Sequence, residues 1–453
     1  MARLNVPNHV VPIYTHGGAK ATHIRPFDQL RRAVGACMLW EDQFYESGES
    51  IADRIAELCG LCKPEEIAEL AIHARSNLNL RHVPLELCNQ LLKQHPAFRS
   101  AETIAACIQR ADEMGEMLAV YWRGGVGPLD HQLRKGLQLA LPKFDEYGLA
   151  KYRRDKTQYN LRNVLRLARA KPKTMEQRLL WGAAVKGMLT SPDTWEVALS
   201  AGADKKETWM RLLAEGKLGY FALLRNLRNM DQVEVPRDIV DQAIEARKGG
   251  AHRILPFRYI AAMRAAPQHA QALDRALCKA IAELPALPGT TYLLVNVSRS
   301  MDHKLSAKSD MTRLDAAAGL AALWPGKCRV FSFSNSVVEC PPFRGLAGVE
   351  AVVRSQSHGG TMLGRAVSQL TVFMHNNGLG SPNDRLIVIT DEQSHDNVPA
   401  PVGKAYMINV ASYENGVGYG PWTHIDGFSE GVIRYIVEAE GEGPSAARAG
   451  RED

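Results

Sequence analysis

This sequence of 453 residues lacks a long apolar run, a secretory leader and any of the familiar catalytic signatures. No uninterrupted apolar stretch approaches the roughly 18 residues of a membrane span. The amino terminus, Met-Ala-Arg-Leu-Asn-Val-Pro-Asn-His-Val, has no long hydrophobic core of the signal-peptide kind. A soluble, cytoplasmic protein with no membrane partner is the expectation. A Gly-x-x-x-x-Gly-Lys-Ser/Thr phosphate loop, a Gly-x-Ser-x-Gly elbow and a His-Glu-x-x-His helix are all missing.

Charge of one sign is also scarce as a surplus. Lysine and arginine number 55 against 49 acidic residues, a formal charge of +6, which permits a polyanionic partner without requiring one. The eight cysteines lie mostly within apolar patterns, as buried thiols of a reducing compartment do. Cys59-Gly-Leu-Cys62 has metal or redox spacing, but no second pair follows it at zinc-site distance.

What the chain does have is a division near residue 284. Residues 1–26 are rich in turn formers and read as an arm. From Phe27 to 284 the pattern is helical. Apolar stripes recur at Leu30–Met38, Ile51–Leu58, Ile67–Ala74, Leu85–Leu92, Thr103–Ala111, Leu133–Leu141, Leu161–Ala168, Glu176–Met188, Thr208–Leu213 and Tyr220–Leu227, with prolines between them. Helix pairs with one apolar face each predict a stacked helical-repeat domain. No fixed repeat period is present, so a compact irregular helical domain competes with it.

Residues 285–290 form a Pro/Gly break. Beyond it, 291–441 alternates strands and helices. Strands are predicted at Tyr292–Val297, Cys328–Phe333, Arg385–Thr390 and Ala405–Val410, helices at Arg313–Trp324 and Thr361–Phe373, and a closing helix or last strand at Gly431–Glu438. That alternation predicts an α/β domain with a doubly wound parallel sheet. Residues 442–453 read as a tail. The fold class is therefore multidomain, all-α followed by α/β.

Two kinds of side-chain cluster carry possible function. In the first, Arg162, Arg166 and Arg169 recur on the face of one helix opposite Leu161, Val164, Leu165 and Ala168. Lys151-Tyr-Arg153-Arg154 precedes that helix with an aromatic inside the cations. Guanidinium groups fork onto phosphates and rings stack on unpaired bases, so the combination suits structured or single-stranded nucleic acid; an ordinary solvated helix face has the same look. Arg75, Arg81 and His82 at one inter-helix segment, and Arg225 and Arg228 at another, either add donors to such a surface or cap neighbouring helices. His252, Arg253 and Arg258 carry the same ambiguity.

In the second cluster, Asn296, Ser298 and Ser300 follow the first strand, while Thr361 and Asp391 fall at the same carboxyl edge, where open α/β sheets bind ligands. The oxygens suit one divalent cation such as Mg2+, weakened by the neutral Asn296 and by Arg299; a hydrogen-bonded polar loop needs no ion. Ser298 or Ser300 with His303 or His395 and Asp391 would be the hydrolytic alternative, for which no spacing argues. No catalytic residue is assigned.

Taken in order, Leu30-Arg-Arg-Ala-Val-Gly-Ala-Cys-Met-Leu-Trp40 with Phe44-Tyr45, Lys151-Tyr152, Leu165-Arg-Leu ahead of Lys171-Pro172, Ala222-Leu-Leu-Arg-Asn-Leu227, Leu255-Pro-Phe-Arg258, Val295-Asn-Val-Ser-Arg-Ser-Met301 and Ile389-Thr-Asp391 resemble the Ro 60 kDa autoantigen family. Its members carry a TROVE module followed by a von Willebrand factor A domain. The resemblance implies a ring of HEAT-like repeats that binds small structured Y RNA outside and the ends of misfolded RNA in its opening. It further implies a role in RNA quality control or in tethering an exoribonuclease, as a monomer. On that basis Lys151, Arg153, Arg154, Arg162 and Arg166 are expected outer-surface contacts, and Arg75, Arg81, His82, Arg225 and Arg228 contacts nearer the opening. Two positions depart from the family. Asn296-Val-Ser298-Arg-Ser300 stands where relatives often have Asp-x-Ser-x-Ser, and Tyr159-Asn160-Leu161 where animal relatives have a histidine important for Y RNA. A protein-interaction scaffold working through the A domain is the alternative reading.

Overall fold

The structure is a computed structural model describing residues 12–21, 24–35, 47–152, 157–191, 193–200, 202–251, 254, 256–283, 286–305, 311–322, 324–377, 381–427, 432, 433, 436 and 440. The chain forms two compact units. One comprises residues 48–280 with 37–40, the other residues 1–36, 41–47 and 281–453.

The first unit is helical. Gly48–Leu61, Pro64–Ser76, Val83–Gln94, Ala101–Cys107, Ala111–Tyr121 and His131–Ala140 follow one another with short breaks, and Glu146–Lys151 and Leu161–Ala168 come after them. The first four pack on the helix two places along: Gly48–Leu61 on Val83–Gln94, Pro64–Ser76 on Ala101–Cys107, Val83–Gln94 on Ala111–Tyr121, and Ala101–Cys107 on His131–Ala140. Packing on the second neighbour builds two layers, which is how helices with one apolar face each cover it. Local signals start the helices. Asp130 accepts from the backbone N–H groups of Gln132 and Leu133 at 2.6 and 3.1 Å, and Asn160 accepts from Asn163 at 3.1 Å. The predicted helix Thr103–Ala111 is in fact the end of one helix and the start of another. Ile108 turns extended, and the buried Glu113 carboxylate accepts from the backbone N–H of Gln109 and Arg110 at 2.8 and 3.0 Å to open the second.

The second unit is a six-stranded sheet in the order β3-β2-β1-β4-β5-β6. Its strands are β1 (Thr291–Asn296), β2 (Cys328–Phe333), β3 (Val337–Glu339), β4 (Arg385–Thr390), β5 (Lys404–Asn409) and β6 (Thr423–Asp426). All pairings are parallel except β2 with β3. Every residue of β1 and β4 is buried, because helices cover both faces of the sheet centre. Leu363, Val367 and Leu370 of the helix Leu363–Asn376 join Tyr292, Leu294, Phe333, Leu386, Val388 and Met407 in one core.

One sequence-drawn boundary is corrected. The helix Pro26–Gly35, expected to open the helical domain, belongs with the sheet and packs on β6. Gly35 permits this: a Cβ there would lie 2.5 Å from the Cβ of Asp426. The arm ahead of it is also placed. Residues 14 and 20 form an antiparallel bridge, and the Thr15 hydroxyl and Ala19 N–H both donate to the Ser394 carbonyl, at 2.7 and 3.1 Å. The last strand among the described residues is β6, which the sequence pattern does not show; most of the closing element expected at 431–438, and the tail, lie outside the described residues.

Candidate nucleic-acid interface and the sheet edge

In the helix Leu161–Ala168 the expected faces are observed. Leu161, Val164, Leu165 and Ala168 are buried, and Arg162, Arg166 and Arg169 are exposed. Arg169 takes the left-handed C-cap position at φ 51°. Among the described residues no carboxylate pairs with Arg162, Arg166 or Arg169, so three cations stand on one face without local neutralisation. Lys151 is exposed nearby in sequence. Its ammonium lies 3.3 Å from the Tyr147 hydroxyl and 5.4 and 5.7 Å from the ring centres of Tyr147 and Tyr152, while Arg110 stacks 4.3 Å from Tyr152. Arg153 and Arg154 lie outside the described residues.

Arg75 and Arg81 are corrected as surface donors. The Arg75 guanidinium is buried, donating to both Glu113 carboxylate oxygens at 2.8 and 3.1 Å and to the Cys107 carbonyl at 3.1 Å. Arg81 donates to Asp112 and Glu116 at 2.8 and 2.6 Å, and the exposed His82 sits 3.8 Å from Glu116. These groups fasten helices together, and the acids around them cancel the charge that a phosphate would need.

Arg225 and Arg228 do reach solvent. The asparagines beside them are spent within the helix Tyr220–Gln232: Asn226 donates to the Ala222 carbonyl and Asn229 to Asn226, both at 2.8 Å. A residue the sequence reading passed over completes this group. Phe221, 40% exposed, has the Arg225 and Arg258 guanidiniums 5.6 and 5.3 Å from its ring centre. Burial and the like charge of Arg225 both lower the pKa of Arg258. The signal was present as Phe-x-x-x-Arg, spacing that stacks two side chains on one helix face. His252 and Arg253 fall outside the described residues.

At the carboxyl edge of the sheet, Asn296, Ser298, Ser300, Thr361 and Asp391 are all buried. Ser298 and Ser300 hydroxyls are 3.2 Å apart. Asn296 donates to Thr390 Oγ1 at 3.0 Å and to Asp391 Oδ1 at 3.1 Å. Burial raises the Asp391 pKa, opposed by the Ser300 hydroxyl and the Arg313 charge. This set fits a divalent cation poorly: it offers one carboxylate, whose Oδ1 is bonded by an amide while its buried Oδ2 has no hydrogen-bond partner among the described residues, and the charge of Arg313 already faces it, with the exposed Arg299 on its rim. No group of three or more His, Cys, Asp or Glu side chains able to hold a metal occurs among the described residues, and burial pushes the Cys59 thiol up, away from the thiolate a metal needs. The hydrolytic reading gains nothing here, since His395 Nδ1 accepts from the Thr361 N–H at 2.9 Å.

Next to Asp391 a buried charge network closes the unit. Arg32 donates to Glu392, to the Tyr413 carbonyl at 2.8 Å and to the Asn415 carbonyl at 3.0 Å. His424 lies 2.5 Å from Glu392, 3.5 Å from Asp426, and stacked 3.9 Å from the Tyr419 ring.

Residues 180–279, which include Phe221, Arg225, Arg228 and Arg258, match the TROVE domain family model. The telomerase protein component 1 of Mus musculus is 36% identical over 76 residues, 16% of this chain and 3% of that protein. Its Rattus norvegicus counterpart is 29% identical over 113 residues, 24% of this chain and 4% of that one. The chain thus spans a small part of these relatives. The crystal structure of the Deinococcus radiodurans Ro (RSR) protein superposes with a TM-score of 0.53 at 15% identity, covering 92% of this chain and 100% of that one. The matched segment is similar to a TROVE domain, and the superposition shows the fold alone, a many-helix region followed by a doubly wound α/β domain. These similarities accord with the resemblance to the Ro 60 kDa autoantigen family that the sequence motifs carry.

Proposed function

We propose that the protein binds RNA through its helical unit and carries out no covalent chemistry. The observation that carries this reading is the face of Arg162, Arg166 and Arg169, exposed and without a carboxylate partner among the described residues. Several other arginines of the unit, among them Arg75, Arg81 and Arg211, are spent on acids, whereas this trio keeps its charge available to phosphate. The Phe221, Arg225 and Arg258 group supplies what single-stranded RNA needs, an exposed ring flanked by cations. The TROVE match supports the same reading.

In its finer form the reading assigns small structured, Y-like noncoding RNA to the Lys151 and Arg162–Arg166 face and the ends of misfolded RNA to the Arg225 group. The role is cytoplasmic RNA quality control or adaptation of an exoribonuclease. The test is gel-shift titration with a small stem-loop RNA and an unstructured RNA of equal length. Arg162→Ala with Arg166→Ala should weaken the stem-loop more, and Arg225→Ala the unstructured RNA more; equal binding by all variants contradicts the assignment. A second reading, a protein-interaction scaffold working through the α/β unit, draws on Arg299, exposed at the carboxyl end of β1. A specific protein complex indifferent to Arg299→Ala and Ser298→Ala would remove it.

A further inference from the structure

The carboxyl edge of the sheet holds the same side-chain arrangement twice. At the end of β1, Asn296 Oδ1 accepts the N–H of Ser298 at 2.8 Å while its Nδ2 donates to Asp391 Oδ1 at 3.1 Å. At the end of β5, Asn409 Oδ1 accepts the N–H of Ala411 at 3.1 Å while its Nδ2 donates to Asp426 Oδ1 at 2.8 Å. In both cases the amide turns the chain after its own strand and ties it to a carboxylate at the end of the adjacent strand. The orientation of each amide is fixed by chemistry: a backbone N–H can only donate, so the atom facing it is the carbonyl oxygen and the NH2 faces the acid. All four side chains are buried.

We infer that Asn296 is an internal clamp standing where an A-domain would otherwise need a divalent cation, and that this sheet edge is closed without metal. An ion between strand ends works by supplying positive charge to facing carboxylates. Here the amide supplies two N–H donors to Thr390 and Asp391, and Arg313 supplies the charge. With an aspartate at 296 the two carboxylates would face each other at hydrogen-bond distance with no proton donor between them, and a cation would become necessary. The second clamp makes the same bonds between Asn409 and Asp426, with His424 and Arg32 supplying the charge there as Arg313 does at the first.

The experiment uses the full chain, with Mn2+ followed by electron paramagnetic resonance and thermal unfolding compared in Mg2+ and in EDTA. The wild type should leave millimolar Mn2+ free and melt at the same temperature in both solutions. Asn296→Asp should bind Mn2+ at least about ten-fold more tightly, since ligand charge count tunes affinity for hard cations, and should melt higher in Mg2+ than in EDTA. Asn296→Ala keeps every hydroxyl but loses the clamp, and should melt lower than wild type with no rescue by Mg2+. Wild-type Mn2+ binding that Ser298→Ala abolishes would overturn the inference, as would Mg2+ rescue of Asn296→Ala. The wild-type measurement decides even if a variant fails to fold.

Discussion

Arg32 and Glu392 face one another with both side chains fully shielded from solvent, although 360 residues separate them in sequence. The pair fixes the helix Pro26–Gly35 to the loop after β4, and Glu392 accepts a left-handed backbone, φ 60°, to reach it. Gly418 leaves room for the carboxylate, since a Cβ there would lie 2.2 Å from its oxygen. Replacing Arg32 by methionine keeps the volume but strands a buried carboxylate. The α/β unit should lose about 3–5 kcal/mol, read as a lowered urea midpoint, whereas Glu392→Gln should cost less because the amide still accepts.

The same network predicts how stability depends on pH. For His424, burial opposes the charged form, but Asp426 and Glu392 outweigh it and raise the pKa to about 9. For Asp426, burial favours the neutral acid, but His424, Arg32 and Asn409 hold it at about 2. A raised histidine stabilises fully below its ordinary value of 6.5 and loses that contribution as pH climbs through about 9. A lowered carboxylate stabilises above its ordinary 3.8 and loses that contribution as pH falls through about 2. The melting temperature should therefore be highest between these ordinary values, and His424→Gln should flatten the alkaline limb and shrink the acid one as well, since His424 is the first of the groups that hold Asp426 low.

Arg75 and Arg162 should behave in opposite ways. Arg75→Met removes the partner of the buried Glu113 and should cost about 3–5 kcal/mol, with RNA affinity unchanged at temperatures where the protein is folded. Arg162→Ala should leave the melting temperature within about 1 °C, as surface changes do, and weaken RNA binding.

Phe221→Ala should weaken unstructured RNA by about 1–3 kcal/mol, the worth of one base–ring stack, and leave a fully paired RNA duplex unaffected. Phe221→Trp should restore the unstructured RNA, because the stack needs a ring and not a particular one.

The strands Cys328–Phe333 and Arg385–Thr390 were legible to the residue, because buried parallel strands are short apolar runs ended by polar residues. β3 and β6 were not, since three- and four-residue edge strands with exposed positions carry no such run. The arginine stripe of Leu161–Ala168 was legible because helical periodicity alone sorts its faces. Arg75 and Arg81 misled because an arginine looks the same in sequence whether it faces solvent or an acid on another helix: Glu113 is 38 residues from Arg75. For the same reason the helix Pro26–Gly35 was assigned to the wrong unit. Its apolar stripe shows that it packs, while its partners Glu392, Tyr413 and Asp426 lie at the far end of the chain.

If unneutralised arginines on the helical unit grip RNA phosphates, RNA affinity must fall steeply with salt. The most direct test is the slope of log affinity against log salt for a small structured RNA, in the wild type and in Arg162→Ala with Arg166→Ala. The wild type should show a steep linear fall, and the double variant a slope shallower by about one for each phosphate it no longer neutralises. Identical slopes, or wild-type affinity that ignores salt, would contradict the account.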